Sequence, residues 1–314
     1  MADIVITEFM DEAAVADLAA RRDTLYDPGL VDRPADLLAA ARDCRALVVR
    51  NRTQVRGELL AAAQRLVVVG RLGVGLDNID IDACAARGVV VRPATGANDV
   101  SVAEYVIASA MLLLRGAYRA TPDVVAGLWP RNALMNGREI SGKRLGLIGF
   151  GSIARETARR AGALGMSIVA HDPFVPTDAP IWGELGARPE SLDALLAASD
   201  VVSLHVPLTD QTRSLLDAAA IARMARGAIL INAARGGVVD EPALAEALRA
   251  GRIGGAALDV FDAEPLPAEK AAVFAGCPNL ILTPHIAGLT EEANGRVSSL
   301  TAANVLHELD RAGA

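Results

Sequence analysis

Short runs of consecutive apolar residues recur along the chain, each followed by a longer stretch in which Ala, Leu, Glu and Arg repeat at helical spacing. In the first third the runs are Ile4–Thr7, Ala46–Arg50, Leu66–Val69 and Val89–Val91, with helical patterns over Pro34–Arg42 and Arg56–Gln64. Runs that are continuously apolar predict strands covered on both faces. Their alternation with helices predicts βαβ units and a parallel sheet. Ala94–Asp99 reads as a loop, and Ser101 opens a helix running to about Arg115, with Glu104 three residues on as a capping box. Beyond a loop around Pro122–Gly142 a second series begins, with strands at Leu145–Gly149, Ser167–His171, Val201–His205, Ala228–Ile231, Ala256–Asp259 and Leu280–Thr283. Its helices include Ile153–Leu164 and Glu241–Ala250, and Glu291–Leu309 reads as one last helix. Two such series predict two α/β domains, with ligands held at the carboxyl edges of the strands in a cleft between them.

Composition agrees with that class. A chain of 314 residues is long for one core and comfortable for two, and 52% apolar residues with only 3% aromatics suit Val/Ile/Leu strands under Ala-rich helices. The net charge of −7, without a basic run, argues against nucleic acid as a partner. Three scattered cysteines without a CxxC pair point to neither a disulfide framework nor a zinc site, and no metal is expected. The N-terminus lacks the basic start and apolar core of a signal peptide, and Val106–Leu114 is too short to span a bilayer. A cytoplasmic protein without a membrane partner is the expectation.

Gly149-Phe-Gly151-Ser-Ile-Ala154 fits G-x-G-x-x-G/A and stands between a strand and a helix, the context that gives the pattern meaning. Gly149 makes the tight turn and Gly151 lets the backbone approach a pyrophosphate. Ala154 allows close helix–strand packing, and the amides at the helix start meet the phosphate charge. Asp172 ends the next strand at the distance expected for a group that binds ribose hydroxyls. It would repel a 2′-phosphate and no Arg follows closely, which favours NAD over NADP.

Reduction of a ketone by hydride needs a proton donor near neutral pH, which suits His best. Of four histidines, His307 lies among apolar residues of the last helix, and His171 and His205 end strands. His285 lies in the loop Thr283-Pro-His-Ile-Ala-Gly288 after the last strand and is the acid–base candidate. Arg235 follows an earlier strand in a Gly-rich loop, and Asp259 and Glu264 follow the next, so all share one sheet edge. Arg235 can fork onto a carboxylate and polarise a keto oxygen. Glu264 can bond the imidazole, fix its tautomer and favour its protonated form.

Over nearly its whole length the sequence resembles the D-isomer-specific 2-hydroxyacid dehydrogenases. The strings that carry the likeness are Gly73-Val-Gly-Leu-Asp-Asn-Ile-Asp80, Leu145–Ala154, Leu204-His-Val-Pro-Leu-Thr209, Asn232–Glu241, Leu258–Pro265 and Thr283–Gly288. The resemblance implies two doubly wound parallel-sheet domains, a Rossmann NAD domain over residues 99–287 inserted into a flavodoxin-like substrate domain formed by 1–98 and 288–314. It also implies NAD-dependent hydride transfer with Arg235, Glu264 and His285 as catalytic residues. Ser152 and Ile153 would fall at the pyrophosphate, Val206 and Pro207 beside the adenosine half, Ala233 and Ala234 along the cofactor, and Asp259 near the nicotinamide amide. Val74 and Gly75 would offer amides to the substrate carboxylate, and the 101–115 helix would build a homodimer. Ala154 in place of the third Gly, and Ala233 in place of a commoner Thr, Cys or Val, depart from the family pattern without removing a catalytic group.

Arg50, Arg52 and Arg71 lie near the predicted cleft of an acidic protein. They point to a substrate with a second anionic group, with Arg52 and Arg71 as its binding residues. Related dehydrogenases acting on 3-phosphoglycerate, hydroxypyruvate or glyoxylate are the nearest alternatives. NAD-binding corepressors that use the same fold are a distant one.

Overall fold

The computed structural model describes residues 2–313. They form two compact units, one of residues up to Asn98 joined by those from Leu289 onward, the other Asp99–Gly288. Every strand pairing in both is parallel.

The first unit has five strands, β1 (Ile4–Ile6), β2 (Thr24–Tyr26), β3 (Ala46–Val49), β4 (Val68–Arg71) and β5 (Val90–Pro93), in the order β2-β1-β3-β4-β5. This is the flavodoxin-like winding, in which crossovers run both ways from β1 and cover both faces. One face packs against the helices Glu12–Arg21 and Glu291–Arg311 through Leu18, Val305 and Leu309, and the other against Leu37, Leu59, Leu60 and Cys84. The final helix lies close on β4. A Cβ built on Gly70 would stand 2.6 Å from Val305, so only glycine fits there. The last segment of the chain thus completes the core begun by the first.

The second unit has seven strands, β6 (Arg144–Ile148), β7 (Ser167–His171), β8 (Ala187–Pro189), β9 (Val201–Leu204), β10 (Ile229–Asn232), β11 (Gly255–Leu258) and β12 (Leu280–Leu282). Their order, β12-β11-β10-β9-β6-β7-β8, is a doubly wound Rossmann sheet whose direction of growth switches between β9 and β6. Its central strands are buried throughout, as their apolar runs require. The helix Asp99–Arg115 buries Val106, Ala110, Leu113 and Leu114 against this sheet.

Three sequence expectations need correction. The long helix begins at Asp99, so Ser101 is inside its first turn and the Ser101–Glu104 capping box does not form. The strand expected at Leu66–Val69 runs from Val68 to Arg71. Strands β2 and β8 carry no apolar run and were not expected. Each is a three-residue edge strand, and β8 ends in a proline. Among the described residues no single helix is long and apolar enough to cross a membrane.

Candidate active site

At the end of β6 the backbone turns through Gly149 with φ +88°, and a Cβ there would meet the His205 carbonyl oxygen at 2.5 Å. Both the conformation and the space exclude a side chain. A Cβ on Gly151 meets nothing within 4 Å, so this side of the turn is open to a ligand. The helix Ser152–Ala163 then starts with no side-chain cap and no acidic residue in its first turn. Its first amides are therefore uncapped donors at the positive end of a helix, which fits the pyrophosphate of a dinucleotide. Ala154 is fully buried beneath it. Asp172 braces the same turn, accepting the Phe150 amide at 2.8 Å on one oxygen and the Phe174 amide at 2.9 Å on the other. Each oxygen keeps acceptor capacity for a ribose hydroxyl.

The other three histidines lie outside the loop of His285 and have partners or exposure of their own. His171 Nδ1 lies 3.1 Å from the Glu190 carbonyl, and His307 is exposed on the last helix. His205 bonds Ser203 at 2.9 Å, and burial pushes its imidazole down to about 4, so it is neutral at neutral pH.

After β10, Asn232 shapes the next loop. It is 2% exposed, and its side chain accepts the Ala234 amide at 3.1 Å and donates to the Arg235 carbonyl at 2.9 Å. Ala233 and Ala234 are thereby held half-buried at the carboxyl edge, and Arg235 Nη1 bonds the Ala234 carbonyl at 2.6 Å. Gly236 follows. A Cβ on it would lie 1.8 Å from the Phe261 carbonyl oxygen, so the Arg235 loop rests directly on the loop after β11.

That second loop carries Asp259 and Glu264. Glu264 Oε1 accepts the Phe261 amide at 3.0 Å, while Oε2 lies 2.7 Å from His285 Nδ1. Burial alone would raise this carboxyl. The hydrogen bonds from His285 and the Phe261 amide, with the charges of His285 and Arg235, outweigh it and hold Glu264 below the usual carboxylate range. An ionised carboxylate only accepts, so Nδ1 carries a hydrogen and Nε2 is the atom left to exchange a proton with substrate. Asp259, 1% exposed, accepts from Thr283, Ile286 and Ala287. Three of its roughly four acceptor positions are thus taken within the loop of His285, leaving one for a nicotinamide amide. Among the described residues no cluster of His, Cys, Asp or Glu is arranged to hold a metal ion.

In the first unit, Glu8 organises the loop after β3. It is 5% exposed, and its carboxylate accepts the amides of Arg50, Arg52 and Thr53 at 2.9, 3.2 and 3.0 Å. Arg50 stacks over Phe9 at 5.4 Å and donates to Asn294 at 2.7 Å. Arg52 forms an exposed ion pair with Asp32. Arg71 turns back on its own loop, donating to the Gly75 carbonyl at 2.8 Å and to that of Leu72, and so braces the turn that presents the Val74 and Gly75 amides. Glu8 escapes sequence reasoning because it acts on amides more than forty residues away, whereas Asn232 makes a local turn with Ala234 and Arg235 that the sequence does not single out.

Residues 107–287 match the family model described as D-isomer specific 2-hydroxyacid dehydrogenase, NAD binding domain. Over 309 residues the chain is 56% identical to the (S)-sulfolactate dehydrogenase of Chromohalobacter salexigens, covering 98% of this chain and 99% of that protein. It is 40% identical over 272 residues to the D-3-phosphoglycerate dehydrogenase of Archaeoglobus fulgidus, covering 87% of this chain and 51% of that protein. Among solved structures, the D-lactate dehydrogenase of Aquifex aeolicus, complexed with NAD and lactic acid, superposes with a TM-score of 0.86 at 29% identity, covering 98% of this chain and 96% of that one.

Proposed function

The chain belongs to the D-isomer-specific 2-hydroxyacid dehydrogenases, and from that premise we propose that it interconverts (S)-3-sulfolactate and 3-sulfopyruvate. The observation that carries the chemistry is the Glu264–His285 hydrogen bond at the carboxyl edge of the Rossmann sheet. The likeness to a sulfolactate dehydrogenase over the full chain carries the substrate. Ile6-Thr-Glu-Phe-Met-Asp-Glu, Val49-Arg-Asn-Arg-Thr53 and Trp129-Pro-Arg-Asn-Ala-Leu-Met135 are the strings that support it. Stereochemistry agrees with a D-specific family. In sulfolactate the sulfonate-bearing carbon outranks the carboxylate, so the label flips and the (S) form has the spatial arrangement of a D-hydroxy acid.

NAD bound on the glycine turn would supply or accept the hydride at C2 of the substrate. Ser152 and Ile153 would hold its pyrophosphate, Asp172 its ribose, Val206 and Pro207 its adenosine half, and Ala233, Ala234 and Asp259 the rest. Arg235 grips the substrate carboxylate with its guanidinium fork and polarises the keto oxygen. His285 gives its Nε2 proton to that oxygen during reduction and takes one from the hydroxyl during oxidation, while Glu264 stabilises the charged imidazole. For the first unit, the proposal assigns the Val74 and Gly75 amides to the carboxylate and Arg52 and Arg71 to the sulfonate. Arg71 braces its own loop carbonyls and Arg52 pairs with Asp32, so a sulfonate would add to those contacts or replace them.

The test is NAD reduction by purified protein with (S)-3-sulfolactate, its (R) isomer, D-3-phosphoglycerate and D-glycerate. A kcat/KM led clearly by (S)-sulfolactate supports the assignment. A lead by 3-phosphoglycerate would favour the second reading, for which the Arg71–Asn78 string and the Archaeoglobus relative speak. NADH binding without turnover of any acid would favour a sensor.

A homodimer and a cytoplasmic location belong to the same reading. After the 99–115 helix, Tyr118, Val125, Trp129 and Met135 are 66–83% exposed, an apolar surface of the kind that partners cover. The three cysteines are unpaired, as a reducing compartment keeps them. Sedimentation of the purified chain at twice the monomer mass is the result expected.

A further inference from the structure

The loop that carries His285 is tied to Asp259 at every residue from His285 to Ala287. The His285 amide donates to the Asp259 carbonyl at 2.8 Å, and the Ile286 and Ala287 amides donate to its two carboxylate oxygens, each at 2.8 Å. Those bonds hold an unfavourable conformation. His285 has φ +56°, a left-handed backbone that L residues rarely adopt and that relaxes unless its neighbours fix it. The third donor to the carboxylate is the Thr283 hydroxyl, 2.6 Å from Asp259 Oδ1. A hydroxyl has one hydrogen, and an ionised carboxylate accepts it. The Thr283 oxygen must then accept from the Tyr105 hydroxyl, which lies 2.6 Å away on the helix Asp99–Arg115. The order of donation is fixed as Tyr105 to Thr283 to Asp259.

We propose that Tyr105 and Thr283 are positioning residues for the reaction, acting through Asp259 to hold the His285 loop in its left-handed form and so to aim the imidazole. The proposal rests on the reading of His285 as the acid–base group. Physically, Asp259 is almost wholly buried, and a buried carboxylate deprived of a donor seeks another. Without the Thr283 hydroxyl, Oδ1 keeps only the Ile286 amide, and rotation of the carboxylate toward a new partner pulls the loop with it. The Tyr105 hydroxyl polarises Thr283 toward the carboxylate and fixes its rotamer. Proton transfer is steeply sensitive to placement, so a shift too small to unfold the loop is large enough to slow it.

The exchange of hydroxyl for methyl separates this role from packing. Thr283→Val keeps the shape and loses the hydroxyl; Thr283→Ser keeps the hydroxyl and loses the methyl. Steady-state rates, KM, NADH affinity by fluorescence titration, and amide hydrogen exchange over 283–288 in the ligand-free protein are measured for both. Tyr105→Phe and His285→Gln are measured alongside. The result expected is a kcat lower by on the order of a hundredfold in Thr283→Val, the size that a misplacement of about 1 Å produces. NADH affinity falls far less than kcat, because Asp259 is one of several residues assigned to the cofactor; exchange at Ile286 and Ala287 is faster, and Thr283→Ser recovers most of both kcat and protection. Tyr105→Phe leaves all donors to Asp259 in place, so it folds even where Thr283→Val does not, and loses roughly tenfold in kcat, the scale of one hydrogen bond. Impairment of Thr283→Ser equal to that of Thr283→Val would overturn the proposal, because the methyl would then be the group that matters. Wild-type kcat in Tyr105→Phe and Thr283→Val beside a dead His285→Gln would overturn it while leaving His285 in its role. Wild-type turnover in His285→Gln would overturn both.

Discussion

Glu264 Oε2 lies 2.7 Å from His285 Nδ1, across two loops that follow adjacent strands of the Rossmann sheet. The contact fixes the imidazole tautomer, and the proposed reaction uses the Nε2 it leaves open. Because Glu264 is held below the usual carboxylate range, the pair keeps its negative partner on acidification, and that support is lost only as pH falls through the depressed value. Glu264→Gln removes the carboxylate charge that faces the imidazole. Its kcat for ketone reduction is therefore expected to fall by roughly tenfold, the scale of one hydrogen bond to a charged group, with NADH affinity preserved. Undiminished kcat in this variant would show that Glu264 does not govern the proton donor.

Arg235 is assigned a fork-shaped contact with the substrate carboxylate, which a lysine cannot reproduce. Arg235→Lys should lower kcat/KM by roughly thirtyfold, equivalent to about 2 kcal/mol for one charge-assisted hydrogen bond lost, with NADH affinity preserved. Equal kcat/KM for the two proteins would mean that only the charge is used.

Gly236 is where the Arg235 loop meets the loop of Glu264. Since a built Cβ stands 1.8 Å from backbone, Gly236→Ala must separate the two loops. A loss of about 2–3 kcal/mol in stability is expected from such overpacking, read from urea unfolding, with a fall in kcat beyond that of a surface Gly→Ala control. Unchanged stability and rate would show that the loops part freely.

His205 titrates at about 4 in the folded chain and 6.5 as an unperturbed imidazole, so the unfolded chain binds this proton first. Its contribution to stability is full above 6.5 and falls as pH drops toward about 4. The wild-type urea midpoint should decline across that window, and His205→Asn should flatten the decline. A parallel decline in both proteins would assign the effect to the carboxylates.

The parts of this molecule legible in its sequence are those with a local cause. The apolar runs of β1, β3, β6 and β9 announce strands, because a strand covered on both faces has little room for polar residues. Arg235, Glu264 and His285 stood out because each follows a strand of a parallel sheet, which sends all such loops to one edge, and the structure brings Glu264 and His285 into contact. The edge strand Thr24–Tyr26 was hidden because it is only partly buried and carries no apolar run. Glu8 was hidden for a different reason: an acid after a strand looks like surface until the amides of Arg50, Arg52 and Thr53 are folded over it. The same holds for Tyr105 and Thr283, which meet only in the folded chain. For Arg52 and Arg71 the sequence offered charge but not direction, and the structure gives them partners within their own unit.

The most direct test of the account is turnover by His285→Gln, which keeps the size and polarity of the side chain but cannot carry a proton at neutral pH. The rate of NADH-dependent reduction of 3-sulfopyruvate is expected to fall by on the order of 10²–10⁴ while NADH binding is retained, the loss that accompanies removal of a general acid. Undiminished reduction by the variant would contradict the account, because the proton would then come from another group.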